Sequence, residues 1–446
     1  MIRKQFPELY YFAPSIIVGK EGSYYYAMKY RDKYPFVKSS DASEVINSAL
    51  NSLTPDRTWK EKIVLKGDFV FFNSVTVPSY TIIQIDGKIK LADSVGKSIF
   101  KISNANDIDI FGGIIDGNEA NNPWLDDITE GHGIYVDSSQ RVRIYDIYLY
   151  SIVKKAVFFS NVTDGIIRGI KVNDARGIPI AIEGGNNVWV TENNIYLDLS
   201  RTAHGIDVSG GATYVYVVNN VVENGSVCIE VWGDGTKYVN IIGNLVKTSQ
   251  DGAGIRFEDR VTYCNIIGNI CYGCKYSGIF LRNSNYNNVR GNIVISPTDN
   301  CLCIEGNTEG YGQYNIMSNN LLIGGQYGIR ELGDYVDYNV FKNNEIYDQT
   351  TTPASIIGTN TVIKHNIGYA TENSGVATFS GDGSTTEFKI EHGLVSTPSK
   401  YAVSPLTPDA DASRTITVDD TYIIITFSTA PPSGTDNIKF GWWAEV

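Results

Sequence analysis

The chain has 446 residues, 42% hydrophobic and 19% charged, with 43 Gly and 29 Tyr. That is enough apolar side chain for a buried core, in a mix that favours strands and turns over long helices. A formal charge of −12 speaks against a nucleic-acid binder, which carries a basic stripe. No run approaches the ~20 apolar residues of a membrane-spanning helix, and no apolar core follows residues 1–4, so no secretory signal is visible.

In chain order, residues 1–61 read as an N-terminal cap. Tyr24, Tyr25 and Tyr26 lie in a strand-like run, and residues 39–53 form the best helix candidate. There Val45, Ile46, Ala49, Leu50 and Leu53 keep helical spacing. Asp41 or Ser40 can cap that helix, with Glu44 placed for a capping box. One amphipathic helix ahead of many strands suits a plug over the open end of a repeat core.

Short strands follow from residue 62: 62–72, 74–77, 81–85, 89–91, 99–102 and 108–115, separated by Gly, Pro, Asp and Asn. Residues 116–130 break the rhythm with an insertion of the length that is usually functional or mobile. An Asn then precedes an apolar strand at positions 194, 220, 244, 269, 292, 320, 344 and 366. Intervals of this size mark a solenoid. A buried Asn repeated at one turn can bond to its copies above and below and tolerates left-handed backbone. Each repeat reads as about three short strands, so residues 62–370 are expected to form a right-handed parallel β-helix, its coils ~4.8 Å apart. After a linker at 371–375, alternating strands with Gly and Pro turns predict a small β-sandwich over 371–446. The fold class is all-β.

Within residues 203–305 one phrase returns: Gly205-Ile-Asp-Val, Cys228-Ile-Glu-Val, Gly254-Ile-Arg-Phe, Gly278-Ile-Phe-Leu, Cys301-Leu-Cys-Ile. The apolar positions point inward. The variable ones form an outward ladder that is the expected working surface. Stacking puts Asp207 and Glu230 ~5 Å apart. Two carboxylates that close cannot both ionise freely, so one pKa is expected to rise and supply a general acid. That spacing suits a retaining glycosidase, and Glu183 or Glu258 would widen it toward the ~6.5–9.5 Å of an inverting one. His204 precedes the Asp207 strand and is a candidate base or donor. Trp232 is the candidate sugar platform. Arg256, Arg282, Glu305, His132 and Asp137 are candidate substrate contacts. Acids and arginines alternating down such a face equally make a solvated ion-pair ladder.

Six cysteines lie between Cys228 and Cys303. Cys271 and Cys274 make a lone C-x-x-C without a second pair, so small apolar filling of the core is the preferred reading over metal or disulfide. No metal ligand set is assigned and no cofactor is expected. Calcium through clustered acids is the one conceivable ion, although no repeated calcium-loop phrase is present.

Asp41-Ala-Ser-Glu-Val-Ile-Asn-Ser-Ala-Leu50, followed by Lys66-Gly-Asp-Phe69 and Val77-Pro-Ser79, resembles the start of phage tailspikes and related proteins of the pectin-lyase-like β-helix superfamily. Phe379-Ser-Gly-Asp-Gly-Ser-Thr-Thr-Glu-Phe388 with His392-Gly-Leu394 is similar to small terminal modules of tail-fibre proteins. Gly112-Gly-Ile-Ile-Asp-Gly-Asn118 with Trp124, and His204-Gly-Ile-Asp-Val-Ser-Gly210 with Asn224-Gly-Ser-Val-Cys-Ile-Glu230, resemble polygalacturonase phrases. That family's catalytic acids do not carry over: their places hold Thr202-Ala203-His204, Ser226-Val227 and Gly252-Ala253-Gly254. The resemblance implies the fold, a polysaccharide substrate, a homotrimer and an extracellular or virion-associated setting. The leading expectation is an endo-acting glycoside hydrolase of tailspike or depolymerase type. A lyase or C5-epimerase on a uronic-acid polymer would instead recruit Arg256, Arg282 and His204. A non-catalytic carbohydrate-binding adhesin or virion protein is the third reading.

Overall fold

The computed structural model describes residues 14–446. The start of the N-terminal cap, including the residues read for a secretory signal, lies outside them. The described part opens with an antiparallel hairpin, Ile16–Glu21 with Tyr24–Lys29. A helix follows at Ala42–Asn51. Asp41 caps it by accepting from the Ser43 N–H at 2.8 Å. Glu44 departs from the expected capping box and takes the Ser39 hydroxyl at 2.6 Å. Val45, Ile46, Ala49 and Leu50 are buried against the first coil, so the helix shields apolar side chains that an open solenoid end would expose.

The β-helix then winds through parallel strands. One face is a twelve-stranded sheet running from Val75–Thr76 to Thr352–Ser355. The predicted strands at 81–85 and 89–91 are one strand, Thr81–Leu91, because Asp86-Gly-Lys88 pairs in register with Lys66-Gly-Asp68. The predicted 108–115 strand is instead two, Asn106–Phe111 and Ile114–Asp116. Gly112 and Gly113 part them at φ of 80° and 66°, a backbone that side chains resist.

The interior is a stack of aliphatic residues. Ile206, Ile229, Ile255, Ile279, Leu302 and Ile329 follow one another in register with no exposure. Five of the six cysteines are buried in it as free thiols, and the sixth, Cys303, is buried on the outer side of the sheet. Burial pushes Cys274 up to about 11 and Cys301 up to about 12, far from the thiolate that metals and oxidants require.

An asparagine ladder closes one corner. Each amide side chain donates to the next copy's Oδ1, as Asn244 does to Asn269 and Asn269 to Asn292. It also donates to a strand carbonyl. The first rung of the run is Asn193, which bonds Asn220; Asn194 is exposed and outside the ladder. The left-handed backbone sits on the residue before each rung, as at Asn219, Asn319 and Asn343. A second ladder, Asn287, Asn315 and Asn339, runs along another turn.

Beyond the coils lie two three-stranded antiparallel sheets. One joins Glu372–Gly381, Gly434–Glu445 and Lys400–Pro405; the other joins Glu387–Glu391, Tyr422–Phe427 and Arg414–Val418. Phe388, Ile423, Ile425, Phe427, Ile438 and Phe440 fill the space between them. Trp442 packs partly against that core, while Trp443 stays 40% exposed.

Candidate functional site

The recurring phrase forms strands of the twelve-stranded sheet. Its small first residue is a steric requirement: a Cβ on Gly205 would lie 2.3 Å from Val222 Cγ1 and 2.6 Å from the Cys228 carbonyl. From there side chains alternate inward and outward. One outward column reads Tyr135, Phe158, Ala181, Asp207, Glu230, Arg256, Phe280, Cys303 and Arg330, coil after coil in register. The neighbouring column holds Asp137, Ser160, Glu183 and Ser209 on the lower coils, then Trp232 with Glu258 and Arg282 with Glu305 on the upper ones.

At the centre Asp207 and Glu230 stand side by side, 6% and 2% exposed. The Trp232 indole Nε1 donates to Asp207 Oδ2 at 2.8 Å, and the Ser209 hydroxyl to Oδ1 at 3.0 Å. The Arg256 Nε donates to Glu230 Oε1 at 2.6 Å. His204 Nδ1 contacts Glu230 Oε2 and lies 3.8 Å from Asp207 Oδ2.

These contacts decide where the proton sits. Burial opposes a charge on His204, but Asp207 and then Glu230 outweigh it and raise the imidazole to about 9. Burial likewise opposes a charge on Glu230, yet His204 and Arg256 hold it below its ordinary value. The expected raised acid of the Asp207–Glu230 pair is therefore not Glu230: both its oxygens are occupied by cations. The turn preceding the strand supplies a histidine that neutralises the like-charge repulsion.

The upper half of the face is an ion-pair ladder. Arg256 bridges Glu230 to Glu258, Arg282 bonds Glu258, and Arg282 Nε lies 3.4 Å from Glu305. Beside it a cleft of about 250 Å³ is lined by Asp251, Arg256, Tyr276, Phe280, Arg282 and Glu305. Ala253 and Phe280 form its apolar floor, packed with the buried Cys303.

The lower half is different. Glu183, one coil before Asp207 and two residues along, keeps its side chain 55% exposed, with Lys155 Nζ 3.9 Å away. Lys155 lies over the Phe158 ring. Burial pushes its ammonium below the ordinary value, with Glu183 and Asp207 pulling the other way. Residue-by-residue reading passed over Lys155. The signal was its place two residues before the Val157–Ser160 strand, matching His204 and His132 before theirs.

His132 is buried, and both ring nitrogens serve backbone: Nε2 meets the Ile128 carbonyl at 2.8 Å and Nδ1 accepts from Lys155 N–H at 3.2 Å. Burial lowers it to about 4. It fastens the 116–133 loop and has no ring nitrogen left for a substrate. Asp137 stays half-buried in the Glu183 column, its Oδ2 taken by Ser138. Within the loop, Glu130 folds under to Lys97 and Lys101, while Trp124 remains 48% exposed beside Lys154 and Arg176.

Among the described residues, His204, Asp207 and Glu230 alone bring three metal-ligand atoms within 4.8 Å of one another. Arg256 and Trp232 donate to carboxylate oxygens of the same group. No described helix is long and apolar enough to cross a membrane.

Residues 88–246 match the family model described as right handed beta helix region, and residues 211–367 match periplasmic copper-binding protein (NosD). No curated protein matches the chain by sequence. Among solved structures, the Azotobacter vinelandii mannuronan C-5 epimerase AlgE6 A-module is similar at a TM-score of 0.63 and 14% identity, over 73% of this chain and 95% of that one. A tailspike protein of E. coli bacteriophage HK620 is similar at 0.56 and 10%, over 91% and 89%. The Dettilon tailspike protein is similar at 0.56 and 15%, over 90% of each chain. At such identities the likeness is one of fold. Strand register, family models and structural neighbours agree, and the chain is a right-handed parallel β-helix.

Proposed function

We propose that the chain is a polysaccharide depolymerase, a glycoside hydrolase whose acid–base pair is Asp207 with Glu183. The observation that carries this reading is the diagonal between them. One strand spacing across and two residues along set their backbones ~8 Å apart. Carboxyls carried on backbones so placed, rather than on in-register neighbours, suit the wider ~6.5–9.5 Å separation that leaves room for a water, the inverting arrangement. Asp207, pinned by Trp232 and Ser209, aligns the water and takes its proton as the water oxygen attacks the anomeric carbon. Glu183, open to the groove beside Lys155, gives its proton to the departing glycosidic oxygen. Trp232 presents an exposed ring beside Asp207 for the apolar face of a sugar. Glu230, held ionised, positions His204 and Arg256. The Phe280 cleft would hold a flanking sugar. The reaction as written needs no cofactor.

The tailspike neighbours, which span nine-tenths of the chain, support this reading, together with a homotrimeric, extracellular or virion-associated protein. The test is release of reducing ends from a panel of polysaccharides, with the anomer of the first product followed by NMR. Inverted product that vanishes in Glu183→Gln and Asp207→Asn is expected. Full cleavage by either variant sinks the assignment.

A second reading has one observation in its favour. His204, Lys155 and Arg256 crowd the same acids, a set of cations that suits a uronate carboxylate and proton exchange at C5, and one structural neighbour is a mannuronan C-5 epimerase. A product absorbing in the ultraviolet, or solvent deuterium at C5 without chain cleavage, would replace hydrolysis by this chemistry. Binding without any turnover would leave a carbohydrate-binding protein.

A further inference from the structure

A second patterned surface runs along the corner that follows the twelve-stranded sheet. Tyr214, Tyr238, Tyr263, Tyr286, Tyr314 and Tyr338 occupy it on six successive coils, in register. Each ring stacks on the next, with centroids 5.0–5.9 Å apart and planes within 27° of parallel. The six are between 36% and 51% exposed. None of their hydroxyls has a hydrogen-bond partner among the described residues.

The fold does not ask for tyrosine there. All six have left-handed backbone, at φ of 53–58°, where Gly, Asn and Asp are favoured and a bulky side chain is strained. The same chain uses Asn and Gly at its other left-handed corner, at Asn219, Gly243, Gly268, Gly291, Asn319 and Asn343. In the tyrosine column itself, the lower coils hold Asp164 and Asn187. Stacking offsets part of the strain and leaves the free hydroxyls without a structural task.

The stack is a staircase. Carbons in contact sit ~3.5–4.0 Å apart, so the wider centroid spacing means rings displaced sideways, each with part of a face and its hydroxyl open to water. Two residues on, Tyr216, Asn240, Asn265 and Asn288 make a parallel column. There Asn265 donates to Asn240 at 2.9 Å and Asn288 to Asn265 at 3.2 Å. Behind the upper half, the buried Asn287, Asn315 and Asn339 ladder clamps the backbone. Five coil steps of ~4.8 Å make the strip ~24 Å long.

We infer that this strip is a second carbohydrate site, holding an extended, uncharged stretch of polysaccharide along the β-helix axis outside the catalytic groove. A pyranose brings C–H faces for the ring margins and hydroxyls for the phenols and amides. Successive pyranoses of an extended chain advance by about one coil height. Neither column carries a charged side chain over these coils, so a polyanion finds no counter-charge there. The ligand class rests on the polysaccharide reading of the groove, but the strip shares no residue with it.

Affinity electrophoresis of the full chain tests it, in native gels cast with dextran, galactomannan, hydroxyethylcellulose or purified lipopolysaccharide O-chains. Reducing-end release from the same polymers is read in parallel. The wild type is expected to be retarded by at least one of them. The triple variant Tyr238→Asn, Tyr263→Asn, Tyr286→Asn suits the left-handed backbone and removes three rings. It is expected to raise the dissociation constant roughly tenfold, with an unchanged rate on short fragments of that polymer. Should it misfold, the three Tyr→Phe changes keep the stack, lose the hydroxyls and are expected to weaken binding roughly threefold. A wild type retarded by none of the polymers, or folded variants retarded as strongly as the wild type, overturns the inference. A triple variant that changes its mass in sedimentation and keeps its retardation makes the strip a protein contact and also overturns it. Tyrosine-dependent retardation without released reducing ends upholds the strip and removes the hydrolase reading alone.

Discussion

The indole N–H of Trp232 reaches back one coil to Asp207 Oδ2 at 2.8 Å, so the exposed aromatic ring and the buried carboxylate move as one unit. A hydrogen bond to a charged group contributes ~1.5–3 kcal/mol, about 10- to 100-fold in rate if it is made fully in the transition state. Trp232→Phe keeps the ring and loses the donor. It is expected to lower kcat by that factor with KM nearly unchanged. Trp232→Ala removes both, and KM should rise as well. Steady-state kinetics on the polysaccharide found by screening checks the split; equal kinetics for wild type and Trp232→Phe would remove Asp207 from the reaction.

Glu183→Gln and Glu230→Gln should part company. Glu183 is open to the groove and makes one loose contact with Lys155, so its loss should cost ~100-fold or more in turnover and under ~0.5 kcal/mol in stability. Glu230 is buried between His204 and Arg256. Removing its charge leaves His204 only Asp207 and Arg256 only Glu258, and breaking a buried pair in this way costs ~3–5 kcal/mol. Paired chemical denaturation and activity assays separate the two roles.

The histidine gives the fold a pH dependence of known sign. His204 titrates at 6.5 in the unfolded chain and at about 9 in the fold. The raised value means that its stabilisation is complete below pH 6.5 and is lost as pH climbs through about 9. The span corresponds to ~3 kcal/mol at most. Denaturation midpoints should therefore fall between pH 7 and pH 10, and His204→Gln should flatten that decline. Glu230, shifted downward, acts at the other end: its stabilisation holds above its unfolded value of 4.5 and fades as pH drops through its lower folded value.

Much of the architecture was legible because a β-helix repeats itself. The inward Ile and Val of each phrase and the small residue before them reported the same packing problem at every coil. The chemistry was less legible because it depends on what does not repeat. Asp207 and Glu230 were found as ladder neighbours, but their electrostatics turn on His204, which reaches in from the preceding turn. Lys155 sits in an equivalent turn without a histidine to draw notice. His132 shares the pattern, and the 116–133 loop folds over it and consumes both nitrogens. Glu130 ends the 116–130 insertion, and Lys97 and Lys101, from the coil before it, pull it inward.

The same limit appears at a single pair of residues. Asn193 and Asn194 are adjacent and chemically identical, and spacing alone favoured the second. Asn193 is buried, donates to Ile167 O and Asn220 Oδ1, and accepts from the Ile170 N–H. Replacing it by Ala leaves a buried N–H and a buried carbonyl without partners, each worth ~1–3 kcal/mol. Asn194 points outward, and its side chain meets water. Asn193→Ala is therefore expected to destabilise by at least ~2 kcal/mol and Asn194→Ala by under ~0.5 kcal/mol, read as the difference in urea midpoint at constant slope. Equal costs would mean that the ladder starts elsewhere than at Asn193, and would move the register of every coil below it.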